Sequence, residues 1–266
     1  MYFLGITPLA LIAWLRRGMQ ETARFTAADE QRRLNATKRQ AFFEPLRRCL
    51  EPAEGPWARR MLLVSTLCNC IGLAGGPTIS FFSLYAKRDH HWSSGQVGTA
   101  VISAYLLGTA GTLLSGQLLD RIGRRTTTTI FCLMTGLAMA SLFQSNSRSA
   151  MLLSFMATMF AYQGARTATS ALSSELFPTT ARATGFSLTV QVIGQLGWTL
   201  APVLAGLLSE LVGGLGNAAS LFAIGPLLGA ALTLGYIPET RGMTLEELSP
   251  ENVPMEDDLS LETEEV

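Results

Sequence analysis

The sequence predicts an all-α integral membrane protein with six transmembrane helices and a partial helix before them, and three observations lead to this fold class. Charged residues form 15% of the 266 residues, whereas soluble domains contain about 25%. After residue 60, six apolar stretches approach or exceed the roughly 20 residues that a helix needs to cross a bilayer. The basic residues outside these stretches are concentrated on one predicted side of the membrane, as in multi-pass proteins.

The first 15 residues are predicted to form part of a transmembrane helix. The apolar stretch from Tyr2 to Leu15 has about 14 residues, which gives about 21 Å of helix against a hydrocarbon core of about 30 Å. Arg16 and Arg17 follow this stretch, whereas a secretory signal places its positive charges first. We therefore expect the second half of a helix that ends in the cytoplasm, and further sequence upstream of Met1.

Residues 16–60 are predicted to form a basic cytoplasmic loop. Eleven of the twenty basic residues of the chain lie before Met61, and residues 27–43 could form an amphipathic surface helix. The loop lacks a nucleic-acid-binding module and is flanked by apolar stretches, so nucleic acid is not an expected partner. Its charge is better explained by proximity to anionic lipid headgroups.

A six-helix transmembrane bundle is assigned to residues 61–238. Its predicted spans are residues 61–85, 96–119, 126–145, 149–176, 183–212 and 217–237. With these spans, sixteen basic residues fall on the inside and three on the outside, which predicts that both termini are cytoplasmic in an inner or plasma membrane. The acidic segment 239–266 contains ten of the twenty acidic residues and is predicted to be a largely disordered cytoplasmic tail.

Small residues and prolines suggest how these helices pack. Gly108, Thr112 and Gly116 recur at i, i+4 and i+8, with Gly111 and Ser115 beside them, which predicts a face that packs closely against another helix. Pro77, Pro202 and Pro226 lie inside predicted spans, so each is expected to kink or interrupt its helix, most strongly after Gly75 and Gly76.

One basic residue, Arg166, lies deep in a predicted span, and it is the main candidate for a binding residue. A cation at this depth is costly unless it faces water or a partner, and such residues are functional by default. Polar residues on the same and the next helix are expected to share a wet cavity with it. On helical spacing the substrate site comprises Gln163, Arg166, Gln191, Gln195 and Trp198. The alternative is that Arg166 pairs with a carbonyl or carboxylate and only stabilises the bundle.

A second set of charged residues is expected to meet at the inner membrane surface. One group follows the second span, another surrounds the start of the fifth span, and the last follows the sixth span. The predicted network comprises Asp120, Arg121, Arg124, Arg125, Glu175, Arg182, Glu239 and Arg241. The alternative is a set of solvated ion pairs, which contribute little to stability.

Four motifs resemble those of the major facilitator superfamily. Residues 116–125, G-Q-L-L-D-R-I-G-R-R, resemble the G-x-x-x-D-x-x-G-R-R/K loop signature, and residues 175–185, E-L-F-P-T-T-A-R-A-T-G, resemble the loop between helices ten and eleven of its sugar-porter-type members. Residues 238–246, P-E-T-R-G-M-T-L-E, are similar to the P-E-T-K-G-x-x-L-E motif after helix twelve. Residues 15–25 resemble a diluted P-E-S-P-R motif after helix six.

The resemblance implies that the six predicted spans are equivalent to helices seven to twelve of the family fold. It further implies an alternating-access transporter, a proton-coupled symporter by analogy, whose inner gate is latched by the charge network. The lack of a Q-Q-x-x-G-x-N pattern around Asn69, and of a P-W before Glu175, argues against a sugar substrate. The resemblance is closer to the branch that handles organic acids and cations, and Arg166 favours an anion or aromatic acid.

The expected function is therefore secondary transport of a small organic solute by the carboxy-terminal half of such a transporter. Its expected partners are the lipid bilayer and either an amino-terminal six-helix half or a second copy. The alternative is a half-unit that serves as a membrane assembly module and transports nothing. The four cysteines lack the paired spacing of a zinc or redox site, and no nucleophile arrangement or phosphate loop is present, so neither an enzyme nor a cofactor is expected.

Overall fold

The computed structural model describes residues 12–17, 57–177, 182–237, 239 and 241–242. The chain divides into two units, Met1–Pro45 and Leu46–Val266. In the first unit, residues 12–16 are helical. Most of the predicted partial helix (1–15), basic loop (16–60) and acidic tail (239–266) lies outside the described residues, and these three assignments stay predictions.

All regular structure in the described part of the second unit is helical, which confirms the predicted fold class. The first four helices are α1 (Trp57–Arg88), α2 (Ser94–Ile122), α3 (Arg124–Gln144) and α4 (Arg148–Glu175). The remaining segments are α5 (Arg182–Phe186), a π-helical stretch (Ser187–Val192), a 3-10 turn (Ile193–Gln195), α6 (Leu196–Leu208), α7 (Leu215–Leu221) and α8 (Ile224–Tyr236).

In the part of the chain that the structure describes, five helical stretches are long and apolar enough to cross a membrane, which supports a multi-pass membrane protein. They are Ala58–Arg88, Ser94–Ile122, Arg124–Gln144, Arg182–Leu208 and Leu215–Tyr236. Large apolar side chains are exposed along these stretches, among them Ile102, Leu106 and Leu207, as expected of surfaces that face lipid. The count of six crossings stays a prediction, because α4 is long enough but too polar to meet the same criterion.

The polarity of α4 is explained by its position inside the bundle. This helix packs most extensively against α2 and α3, which shield it on two sides. Its apolar half contributes to the core, where the ring of Phe155 stacks on that of Phe82 with centroids 3.6 Å apart. In its polar half, Gly164 accepts a 2.8 Å hydrogen bond from the buried Ser115 hydroxyl of α2. A helix enclosed in this way needs fewer apolar residues than one surrounded by lipid.

The close contact between α2 and α4 uses a face of α2 that differs from the predicted one. The buried residues are Gly108, Gly111 and Ser115, and a Cβ at Gly111 would lie 3.0 Å from the carbonyl carbon of Phe160. Gly116 faces open space instead, and Thr112 lines an open groove. The packing period is therefore i, i+3, i+7, because the helix turns through 3.6 residues and a strict spacing of four drifts off the interface.

Pro77 does not interrupt its helix, because α1 continues as an α-helix from Trp57 to Arg88, and a kink at Pro77 stays a prediction. The glycine before the proline permits close packing, since a Cβ at Gly76 would lie 3.0 Å from Cδ of Pro202. The irregular backbone is found in the fifth helical stretch, at residues 187–195, where π-helical and 3-10 turns precede α6. No proline lies in that segment.

We expect Gly111→Ala to destabilise the protein and Gly116→Ala to leave its stability unchanged or slightly raised. At position 111 the methyl group meets the backbone of α4, and overpacking of this kind costs about 1–3 kcal/mol. At position 116 nothing lies within 4 Å of the added carbon, and alanine favours a helix by up to about 1 kcal/mol over glycine. The measurement is the thermal unfolding midpoint in detergent; equal midpoints for the two variants would contradict this packing.

Candidate functional site

Arg166 is half-buried on α4, and its guanidinium lies beside an aromatic ring. Nη1 donates a hydrogen bond of 3.4 Å to the Tyr162 hydroxyl, and Cζ lies 5.9 Å from the centre of the Tyr162 ring. Among the described residues, no carboxylate lies within 4.0 Å of this guanidinium. Its positive charge is therefore stabilised there by a neutral hydroxyl and a π face, and the guanidinium retains donors for a further partner.

Two cavities meet at Arg166. An open groove of ≈ 720 Å³ is lined by polar residues of α4, by Thr112 of α2 and by Phe186 of α5. A narrow cavity of ≈ 20 Å³ extends from Arg166 toward Cys68 of α1 and Gln195. The narrow cavity has room for about one water molecule, whereas the groove is large enough for a small organic molecule.

The structure brings together four of the five predicted binding residues. Gln163 and Arg166 line the groove, and Gln195 lines the narrow cavity with Arg166. Trp198 stacks on the Tyr162 ring, with centroids 5.9 Å apart and an interplanar angle of 29°. Gln191 is exposed and lines neither cavity. It lies in the π-helical stretch, whose wider turns shift it away from the face that regular α-helical spacing predicts.

Tyr162 is a site residue that sequence reasoning missed. Its side chain is 2% exposed and connects Arg166 to Trp198 by a hydrogen bond on one side and a ring contact on the other. The signal was present in the sequence, because Tyr162 precedes Arg166 by four residues on the same helix and must share its face.

Asn69 of α1 was also missed, and it holds the irregular segment that precedes α6. Its Nδ2 donates hydrogen bonds to the Ile193 carbonyl at 3.0 Å and to the Ser65 carbonyl at 2.9 Å. Its Oδ1 accepts a hydrogen bond of 2.5 Å from the backbone N–H of Gly197. The side chain thus satisfies backbone groups on both sides of Gln195, where α-helical hydrogen bonding is interrupted.

A charge cluster lies where α2 meets α3. Arg124 binds both carboxylate oxygens of Glu175, with Nη2 2.9 Å from Oε1 and Nε 3.2 Å from Oε2, and both side chains are only 19% exposed. Its Nη1 donates to the Leu119 carbonyl at 2.9 Å. Asp120 lies 3.4 Å from the same guanidinium, but it is 78% exposed and adds little. The paired contact with Glu175 is the geometry in which arginine and carboxylate interact most strongly.

Glu239 caps the first turn of α3. Its carboxylate accepts hydrogen bonds from the backbone N–H of Arg124 at 2.8 Å and of Arg125 at 3.2 Å. Gly123, the residue before the helix, has φ of +97°, a conformation that favours glycine, and a Cβ there would collide with this carboxylate. A negative charge at a helix N-terminus is also favoured by the helix dipole. Gly123 and the Glu239 carboxylate therefore connect the start of α3 to the segment that follows α8; we call this contact the joint.

The other predicted members of the network make different contacts. Arg125 donates to the Leu234 carbonyl, the Arg241 backbone N–H donates to Glu239 at 3.1 Å, and Arg182 Nε donates to the Phe177 carbonyl at 3.4 Å. Arg121 is exposed and has no hydrogen bond or ion pair within the described ranges. The geometry thus joins Asp120, Arg124, Glu175 and Glu239 directly, and a gating role for them stays a prediction.

Comparison with known proteins places the chain beside membrane transporters. The model of the Major Facilitator Superfamily matches residues 59–254. A curated protein of Cupriavidus pinatubonensis, named "Probable 4-methylmuconolactone transporter", is 25% identical over 252 residues, which cover 93% of this chain and 55% of that protein.

Solved structures show the same fold at low sequence identity. A bacterial homologue of the human lysosomal transporter Spinster, inward-facing and unoccupied, aligns with a TM-score of 0.60 and 16% identity over 85% of this chain and 55% of that one. A peptide transporter POT (E310Q mutant) in complex with sulfate aligns with a TM-score of 0.53 and 19% identity over 77% and 42%. The chain spans about half the length of the relatives it matches.

We expect Glu239→Ala to lower the stability of the protein by about 1–2 kcal/mol, because it removes the cap and the favourable charge at the start of α3. Asp120→Asn is the matched control: it also removes a carboxylate from this cluster, but an exposed one. Chemical unfolding in detergent measures both. If Asp120→Asn lowered the free energy of unfolding as much as Glu239→Ala, the negative charge of the cluster, and not helix capping, would be what stabilises this end of the bundle.

We expect Asn69→Ala to destabilise the protein by about 1–3 kcal/mol, because it leaves the Ile193 carbonyl and the Gly197 N–H without their partner. Asn217→Ala is the control, since its amide makes one exposed hydrogen bond to the Val212 carbonyl. Hydrogen exchange of residues 187–198 adds a local readout. Faster exchange there in Asn69→Ala alone is the expected result; unchanged exchange would show that the segment is held by other contacts.

Proposed function

The chain belongs to the major facilitator superfamily, and from this premise we propose that it forms the carboxy-terminal half of a secondary transporter for a small organic anion. Family membership also agrees with the prediction that the protein is not an enzyme. Support for transport comes from the names of its relatives, one a transporter of 4-methylmuconolactone and the others transporters by title. The assignment of an anion rests on this chain's own site.

The observation that supports an anionic solute is the unbalanced charge of Arg166. The guanidinium borders a groove wide enough for a ligand, and its nearest described polar partner is a neutral hydroxyl at 3.4 Å. Bringing a carboxylate to this position would balance the charge at a depth where an unpaired cation is costly. Gln163 and Gln195 would orient the solute through hydrogen bonds, and the stacked pair of Tyr162 and Trp198 would form an apolar wall.

In this proposal the groove is one wall of the transport pathway, and a second six-helix half provides the other wall. Transporters of this type work by rocking two halves around a site near the membrane centre. The second half would belong either to the same polypeptide or to a second copy of this chain. Proton coupling is proposed on the motif resemblance alone; since no carboxylate among the described residues lines this groove, the coupling carboxylate would belong to the opposing half.

The charge cluster is proposed to latch the inner gate. Arg124 and Glu175 join the α2–α3 connection to the end of α4, and Glu239 joins the same connection to the segment after α8. Breaking these contacts would let the helix ends separate as the halves rock. On the predicted topology, the excess of basic residues on this side would put the cluster, and both termini, in the cytoplasm.

We expect Arg166→Ala to abolish uptake, because it removes the cation that binds the solute. The substitution is made in the chromosomal gene, so that any adjoining sequence is kept, and membrane vesicles are tested with labelled benzoate and labelled 4-methylmuconolactone under an imposed pH gradient. Arg88→Ala is the control, since Arg88 is exposed at the end of α1. Unchanged uptake in Arg166→Ala would refute the site. No uptake by the unaltered protein of any organic anion tested would favour the non-transporting assembly module.

A further inference from the structure

A third cavity lies at the end of the bundle opposite the Arg124–Glu175 cluster. It has a volume of ≈ 410 Å³, is open on one side, and lies between the first turns of α2 and α4 and the loop that precedes α2. The whole length of α2, about 43 Å for its 29 residues, separates it from the charge cluster. We call it the α2/α4 cavity and define it by Trp92, Gln96, Ala100, Arg148 and Leu152.

The α2/α4 cavity contains three groups of unused hydrogen-bond donors. Arg148 is exposed and has no partner in the part of the chain that the structure describes. Trp92 is 7% exposed, and its indole N–H is buried without an acceptor among the described residues. Gln96 uses its Oε1 to accept from the Ser93 backbone N–H at 3.0 Å, which leaves its amide N–H groups available. Of these donors only the Trp92 N–H is buried, and it has almost no surface open to the cavity, whereas the Arg148 and Gln96 donors are exposed and can reach a ligand.

Two hydroxyl groups of the cavity donate to the backbone of α2, and their oxygens remain able to accept a hydrogen bond. Thr99 donates to the Gln96 carbonyl at 3.0 Å, and Ser103 donates to the Ala100 carbonyl at 3.0 Å. Among the described residues, no carboxylate lines the cavity. Helix α4 begins at Arg148, and no described side chain caps its first N–H groups. The exposed donors of the lining are therefore those of Arg148 and Gln96, and the one charge among its described residues is positive.

The remaining wall of the α2/α4 cavity is apolar. The Trp92 ring, Ala100 and Leu152 provide this wall, and the Trp92 ring is fixed against Phe82 in an edge contact with centroids 6.1 Å apart. A volume of ≈ 410 Å³ is within the range of small-molecule sites and suits a single ring with one substituent. A free sulfate or phosphate would leave this apolar surface uncovered.

We propose that the α2/α4 cavity binds an amphipathic organic anion, whose carboxylate or equivalent acid group faces Arg148 and the Gln96 amide and whose apolar body lies along Ala100 and Leu152. This site is separate from the Arg166 groove and does not depend on transport activity. The same chemistry is offered by a dissolved aromatic carboxylate and by an anionic lipid headgroup with the start of its acyl chains.

The test is equilibrium binding of 4-nitrobenzoate to the protein in nanodiscs of phosphatidylcholine. The nitro group quenches tryptophan on contact, and Trp14→Phe, Trp57→Phe and Trp198→Phe together leave Trp92 as the reporter. We expect saturable quenching that Arg148→Gln weakens about tenfold or more, because a charge-assisted hydrogen bond is lost. Arg88→Gln, another exposed arginine, should have no effect. Isothermal titration of the otherwise unaltered chain and its Arg148→Gln variant repeats the measurement without the tryptophan changes.

Three further arms separate the possible explanations. The neutral 4-nitrobenzyl alcohol should not bind. Benzoate, which lacks the quenching nitro group, should displace 4-nitrobenzoate, whereas sulfate should not. Displacement of the probe when phosphatidylglycerol is added to the nanodiscs would identify a lipid headgroup as the occupant. Equal affinity in Arg148→Gln, or equal binding of the neutral alcohol, would overturn the proposal. Loss of the Trp92 signal in Arg166→Ala would also overturn it, because the two sites would then be one, whereas failure of transport alone would leave it intact.

Discussion

The structure depends on keeping a polar helix out of lipid. Helix α4 contains the arginine, one of the two glutamines and most of the hydroxyl groups of the candidate site, and it is the one long helix among the described residues that is not apolar enough to face a bilayer. The neighbouring helices can shield it only if their backbones come close, which requires Gly111 against Phe160 and the Ser115 hydroxyl on the Gly164 carbonyl. Close packing is thus a condition for the site, since it determines which part of α4 remains open to the groove. Arg166 lies at the boundary, with its ring partner buried and its guanidinium at the cavity.

The positions of the long helices, and a contact between Glu175 and an arginine of the α2–α3 connection, could be predicted from sequence, although the choice of Arg124 could not. Apolar length identifies the helices, and opposite charges at the ends of neighbouring helices have few other partners at a membrane surface. What could not be predicted follows from local departures from α-helical geometry. Gln191 was assigned by regular spacing, yet it lies in a π-helical stretch that contains neither glycine nor proline to signal it. Pro77 gave a signal for a break that does not occur, because α1 continues through it.

Asn69 illustrates how the protein tolerates the interruption of α-helical hydrogen bonding at residues 187–195. A segment whose backbone hydrogen bonds change from i+5 to i+3 spacing leaves groups unpaired, and one amide side chain from α1 pairs with two of them, at Ile193 and Gly197. Helices α1 and α6 approach so closely that a Cβ at Gly72 would lie 2.7 Å from the backbone nitrogen of Trp198. The irregular turn that presents Gln195 to the narrow cavity is therefore built on a rigid neighbour. A sequence pattern cannot show this, because the partner lies 124 to 128 residues away.

The cap supplied by Glu239 also determines when the inner end of the bundle can be completed. The carboxylate lies 115 residues after the Arg124 backbone group that it binds. At a synthesis rate of about 5–20 residues per second, it follows that group out of the ribosome by roughly 6–23 s. During this interval α3 and the left-handed turn at Gly123 exist without their cap, while α4 and the bidentate Arg124–Glu175 pair can already form. The joint between the α2–α3 connection and the end of α8 is therefore among the last contacts made during biogenesis, after every membrane-crossing helix of the bundle has been synthesised.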